Sequence, residues 1–154
     1  MPSRSKAPGT VEIVNPVAGL RPPEDRLAPR VAGLAGKRVA IVHSPLALSR
    51  AIADRLGGLL RERYKVAHVT AVPRRHYVMP LTGQQIEALA SGADAVTMGV
   101  GENRPGTAIP AWDAVEMERR NVPTVLLCTS KAAALGQAAP TALGAPGLPV
   151  VALP

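Results

Sequence analysis

From Lys37 onward, short unbroken apolar runs alternate with segments whose apolar residues recur every three or four positions. Arg38–His43 (RVAIVH) is rich in β-branched residues and reads as a buried strand. Leu48, Ile52, Leu56, Leu59, Leu60 and Tyr64 then form one stripe, which predicts a helix over Leu46–Tyr64 that Gly57 and Gly58 weaken without ending. Lys65–Val72 is the second strand, and Pro73–Pro80 is a loop. Thr82 and Gln85 match a capping box, so a helix is expected from there to about Ser91, with Gly92 as its stop. Asp94–Gly99 is a third strand, followed by the Gly/Pro-rich loop Val100–Gly106 and a helix over Thr107–Arg120 with Trp112 and Val115 facing inward. Val122–Cys128, the Ala-rich helix Ser130–Ala139 and the strand Leu148–Leu153 complete the pattern.

Continuous apolar strands separated by amphipathic helices require a sheet covered on both faces. The expected fold is therefore α/β: a three-layer, Rossmann-like (flavodoxin-like), mainly parallel sheet of four or five strands, formed by residues 37–154. Residues 1–10 read as a flexible tail. Residues 11–36 carry four prolines and read as an extended arm, with Val11–Val14 as a short edge strand and a partner subunit as one surface it would contact.

Composition narrows the chemistry. Phe is absent, and Trp and the two Tyr are few, so Ala, Val, Leu and Ile must build the core. Cys128 is the one cysteine, which excludes an intramolecular disulfide framework and any multi-cysteine metal site. That usage, with no signal-peptide pattern, points to the cytoplasm. No apolar run approaches the roughly 20 residues that span a bilayer. The net charge of +7 raises the prospect of anionic partners. The basic residues are scattered and lack interleaved aromatics, which argues against nucleic acid. A small anionic substrate remains.

In open parallel sheets the functional crevice lies beyond the carboxyl ends of the strands. Three segments qualify: His43-Ser44-Pro45, Gly99–Thr107 and Cys128-Thr129-Ser130. Gly101, Gly106 and the helix start at Thr107 could present backbone donors to an anion, with Asn103 and Arg104 beside them. The spacing Gly101-xxxx-Gly106-Thr107 superficially resembles a P-loop, but Thr107 occupies the place of its lysine, so nucleotide triphosphate hydrolysis is rejected. The same residues also read as a plain strand-to-helix turn. His43 and Glu102 are candidate proton-transfer groups and Cys128 a candidate nucleophile. Ser44, Thr129 and Ser130 are candidate binding residues, although Thr129 and Ser130 also read as helix caps. Asp113 and Glu116, three apart beside Arg119 and Arg120, read as surface ion pairs. Nothing signals a metal, flavin or nicotinamide cofactor.

An ordered set of segments resembles the UGSC-motif family of selenoproteins and their cysteine homologues. It comprises Leu27-Ala-Pro-Arg30, Leu34–Val39 (LAGKRV), Leu56–Tyr64 (LGGLLRERY), Ala93-Asp-Ala-Val96, Gly99-Val-Gly101, Asp113–Glu118 (DAVEME) and Val122–Thr129 (VPTVLLCT). The resemblance implies an intracellular α/β protein and, through likeness to the catalytic subunits of glycine- and proline-reductase systems, thiol or selenol chemistry on small molecules. It also implies selenocysteine or cysteine, then Gly-Ser-Cys, after the third strand. Aligning Gly101 and Asp113 puts Asn103 and Gly106 at the two redox positions, so dithiol or selenol–thiol chemistry cannot run there. Two expectations follow. The chain is a small-molecule enzyme that uses His43, Glu102 or Cys128 with a polar binding shell. Alternatively, it is a non-catalytic or accessory subunit of a hetero-oligomer with a cysteine-bearing paralogue. A homo- or hetero-oligomer is expected in either case.

Overall fold

A computed structural model describes residues 27–154. The tail, Val11–Val14 and most of the arm lie outside the described residues. The elements in order are β1 (Arg38–His43), α1 (Ala47–Tyr64), β2 (His68–Pro73), α2 (Gly83–Gly92), β3 (Ala95–Gly101), α3 (Arg104–Glu118), β4 (Thr124–Thr129), a single 3-10 turn (Ser130–Ala132), α4 (Ala133–Ala142) and β5 (Val150–Leu153). The five strands form one parallel sheet in the order β2-β1-β3-β4-β5. The order reverses between β1 and β3, and that switch point fixes where a crevice can form.

Alternation along the strands sorts side chains between two faces. Val39 and Ile41 of β1 meet Ala53 and Leu60 of α1 on one face. Ala40, Val42, Val96, Met98 and Leu126 point to the other, where Ile86 and Leu89 of α2 and Ala111, Ala114, Val115 and Met117 of α3 cover them. Aliphatic burial of this kind contributes about 1.5–3 kcal/mol per side chain. Helix α2 starts as its sequence predicts: the Gln85 amide donates to the Thr82 hydroxyl and the Thr82 amide to the Gln85 side chain. Helix α1 runs unbroken through Gly57-Gly58.

Two details differ from the sequence pattern. Trp112 is 48% exposed, not inward. The buried stripe of α3 runs through positions 107, 110, 111, 114, 115 and 118, and Trp112 lies off it. Helix α4 is preceded by the 3-10 turn rather than continuous from Ser130.

The described part of the arm is pinned by a buried carboxylate. Glu118 Oε1 accepts from the Thr124 amide at 2.6 Å, and Oε2 accepts from the Ala28 amide at 2.7 Å. The Arg30 guanidinium pairs with the same Oε2. Glu118→Gln keeps the shape but turns an N–H₂ group toward donors. It is expected to lower stability by about 1–3 kcal/mol and to speed hydrogen exchange at Ala28 and Thr124, read by urea unfolding and exchange NMR. An unchanged midpoint would show that Glu118 anchors nothing.

Candidate functional site

The turn from β3 into α3 is tighter than its glycines suggest. Helix α3 begins at Arg104, three residues before the expected Thr107, because Asn103 takes the cap position. Asn103 Oδ1 accepts from the Gly106 amide at 3.0 Å. Pro105 lies in the first turn and has no amide proton to give. Two of the donors expected for an anion are therefore spent or missing. The glycines answer to packing instead. A Cβ on Gly101 would lie 2.4 Å from Thr107 Oγ1 and 2.9 Å from the Gly106 carbonyl oxygen. A Cβ on Gly106 would lie 2.6 Å from the Tyr77 hydroxyl and 3.1 Å from Asn103 Oδ1.

Tyr77 arrives from the loop between β2 and α2, which a buried ion pair holds in place. Asp113 is not on the surface, as its spacing from Glu116 suggested. Its side chain is 1% exposed and pairs with Arg74, itself 2% exposed. The Leu81 amide donates to Asp113 Oδ1 at 3.1 Å, and Arg74 Nη1 donates to the Met79 carbonyl at 3.2 Å. Burial pushes the Asp113 carboxyl up from its ordinary range, and the Arg74 guanidinium opposes that shift. Glu116 does form the expected pairs with Arg119 and Arg120. The loop so fixed leaves the Tyr77 hydroxyl buried with no hydrogen-bond partner among the described residues, as is Thr107 Oγ1, whose residue is fully buried.

At the end of β1, His43 is 4% exposed and its Nδ1 lies 2.7 Å from the Ser44 carbonyl oxygen. A carbonyl only accepts, so Nδ1 carries a proton and donates it to this contact. Ser44 is also buried. Ser49 Oγ accepts from both the Ser44 amide and the Val100 amide, each at 3.2 Å, and ties this turn to the end of β3. Nothing in the sequence marks Ser49, because its two partners, the turn after β1 and the end of β3, lie far apart along the chain.

Past the carboxyl ends of β3 and β4 a cleft of about 800 Å³ opens between α3 and α4. Glu102, Asn103 and Arg104 line one wall, and Lys131, Ala132 and Leu135 the other. Glu102 Oε1 is buried and has no hydrogen-bond partner among the described residues. Arg104 and Lys131 have no ion-pair partner among the described residues. His43, Ser44, Cys128, Thr129 and Ser130 do not line this cleft, so the structure brings together only part of the set named from sequence. Cys128 is fully buried, and desolvation raises its thiol pKa. Its Sγ lies 3.0 Å from where a side chain on Gly136 of α4 would begin. Thr129 does not cap the following turn with its side chain, and Ser130 is exposed. Lys131 escapes sequence reasoning because only the β3–β4 pairing brings it to the same cleft as Glu102. Among the described residues no group of three or more His, Cys, Asp or Glu could hold a metal. A smaller apolar groove beside α2, about 270 Å³, presents no titratable group. No helix among the described residues is long and apolar enough to cross a membrane.

Compared with models of protein families, residues 12–154 match the UGSC family. The chain belongs to the UGSC family. No curated protein matches it. The match spans every described element, so the cleft and the β3–α3 turn both lie inside the UGSC segment.

Two measurements check the site. Cys128 is expected to resist iodoacetamide at neutral pH and to react fully on unfolding, because its thiol is buried and stays protonated. Rapid alkylation of the folded protein would contradict this. Gly101→Ala drives a Cβ into helix backbone and is expected to cost about 1–3 kcal/mol. Gly106→Ala meets a side-chain hydroxyl and should cost less, and Tyr77→Phe should recover part of that cost in a double-mutant cycle. Additivity of the two changes would show that Tyr77 does not limit position 106.

Proposed function

We propose that this UGSC-family chain is a small-molecule-transforming enzyme whose substrate occupies the cleft between α3 and α4. Its chemistry is polar rather than thiol-based. The single observation that carries this reading is the cleft at the carboxyl ends of the strands, which Glu102 lines together with Arg104 and Lys131, two cations with no ion-pair partner among the described residues. A carboxylate so placed can accept or return a proton at a bound substrate. Arg104 and Lys131 supply charge for an anionic group. The positions that the family resemblance assigns to sulfur or selenium hold Asn103, engaged as a helix cap, and Gly106, beside the Tyr77 hydroxyl. Cytoplasmic residence and oligomeric assembly belong to the same proposal. The single thiol supports the first, and the exposed Val78, Met79 and Trp112 support the second.

A second reading, an accessory subunit for a cysteine-bearing paralogue, is favoured by a different observation. The single thiol is buried and protonated, and His43 is buried with its Nδ1 committed to Ser44.

One experiment separates the two. The purified chain is incubated with a small-molecule extract of its source cell, and metabolites are followed by mass spectrometry. The enzyme reading expects at least one compound to be consumed by the parent chain and left intact by Glu102→Gln. Consumption unaffected by that substitution removes Glu102 from the mechanism. No consumption, together with stoichiometric copurification of a cysteine-bearing relative, establishes the accessory role.

A further inference from the structure

We infer that a second copy of this chain docks on the α1 side of the sheet, where the α1 of that copy fills the space above β3, β4 and β5. The inference rests on the oligomeric assembly proposed above and adds its surface; it does not depend on the cleft. It starts from unequal cover. Register and alternation place Ala95, Thr97, Val125, Leu127, Val151 and Leu153 on the same face as Val39 and Ile41. Helices α2, α3 and α4 all lie on the opposite face. There Ile86, Ala111 and Val115 cover Met98 and Leu126, and Gly136 of α4 meets Cys128 and Val150. Val96, Met98, Thr124, Leu126 and Cys128 are all buried on that side. On the α1 side none of the six is buried, and Val151 is 45% exposed. Among the described residues α1 is the one helix on this side, and it sits over β1 and β2. A parallel sheet buries both of its faces, so the strip over β3, β4 and β5 lacks its cover.

The strip and the helix beside it are complementary. From β3 to β5 the strip spans about 10 Å, the width of one helix. A hollow of about 260 Å³, lined by Thr97, Val125 and Leu56, joins the two. Leu48, Ile52, Leu56 and Leu59 form an apolar ridge on one flank of α1, turned away from β2, which Gly57 faces. None of these four is buried, and Leu48 is 59% exposed. Ridge and strip each lack what the other offers. A two-fold axis between them seats the ridge of each copy on the strip of the other. The two α1 helices then form one shared layer between two sheets. Strip and ridge together present about 500 Å² per copy. The pair therefore buries about 1,000 Å², which reaches the size a specific interface needs. None of these residues is charged, so the net charge of +7 on each copy stays off the contact, and an acidic partner finds no cation at its centre. The sequence before Leu27 carries Pro16, Pro22 and Pro23, which break a helix of the length the strip takes.

The test follows the oligomeric state of the full chain by sedimentation across a concentration series, with far-UV circular dichroism as the check on folding. The parent chain is expected to dimerise. Leu48→Glu on the ridge and Val151→Lys on the strip both alter exposed side chains. Each should weaken the dimer about a hundredfold or more with the fold unchanged, because symmetry places the new charge in the interface twice. Mixing the two variants should restore most of the dimer. A mixed pair keeps one unaltered contact and gathers the two new charges, of opposite sign, in the other. Trp112→Ser, on the opposite side of the sheet, should leave the dimer intact. A parent chain that stays monomeric overturns the inference and the assembly together, and leaves this face to the stretch before Leu27 or to another protein. A dimer that ignores both charges, or that is lost with Trp112→Ser, keeps the assembly and overturns this surface. A mixture that fails to recover overturns the seating of ridge on strip. Metabolite consumption bears on the cleft alone and leaves each of these outcomes unchanged.

Discussion

Where β3 passes into α3, a hydroxyl sits at the place a side chain would leave the strand. Thr107 Oγ1 lies 2.4 Å from the position a Cβ on Gly101 would take, and the Gly106 carbonyl is almost as near. Only a bare Cα permits that approach. It folds the first turn of the helix back onto the end of the strand, so the connection shortens to Glu102 and its cap Asn103. Glu102 then lies in the lining of the cleft. The rest of the site follows from this contact. The cap consumes the Gly106 amide, Pro105 offers none, and the unpaired charge shifts from the helix terminus to the side chains of Glu102, Arg104 and Lys131.

Two buried carboxylates on α3 hold the surroundings to the same geometry. Asp113 fixes the β2–α2 loop through Arg74 and the Leu81 amide, and so delivers Tyr77 to Gly106. Glu118, at the far end of the helix, fixes the arm and the start of β4. Each carboxylate satisfies several donors, which is what makes a buried charge tolerable. Both therefore read as positioning groups, in contrast to Glu102, which lines the cleft and has no ion-pair partner among the described residues.

Much of the architecture is legible in the chain itself. Strand runs such as Arg38–His43 and the Thr82–Gln85 capping box are local signals, and each folds as its pattern dictates. The start of α3 is legible too, since Asn103 followed by Pro105 is a helix-start signature, but the glycine pattern suggests a loop in its place. Trp112 misleads because an aromatic ring on a helix need not lie on its buried stripe. Asp113 and Glu118 do carry a signal: charge on the apolar face of a helix implies a buried partner. What no local pattern contains is the meeting of segments distant along the chain. Ser49 joins the turn after β1 to β3, Tyr77 reaches Gly106, and Lys131 lines one cleft with Glu102 because β3 and β4 are neighbours in the sheet.

The proposed replacement of sulfur chemistry by polar chemistry stands most directly on the occupation of positions 103 and 106. Its sharpest test restores the two thiols as Asn103→Cys with Gly106→Cys, with and without Tyr77→Ala, and measures disulfide formation against a glutathione redox buffer. With the Tyr77 hydroxyl beside position 106, the pair is expected to remain reduced where the variant lacking that side chain closes its disulfide. A disulfide that forms as readily with Tyr77 in place, at undiminished stability, would contradict the claim that this turn has been rebuilt around groups other than sulfur.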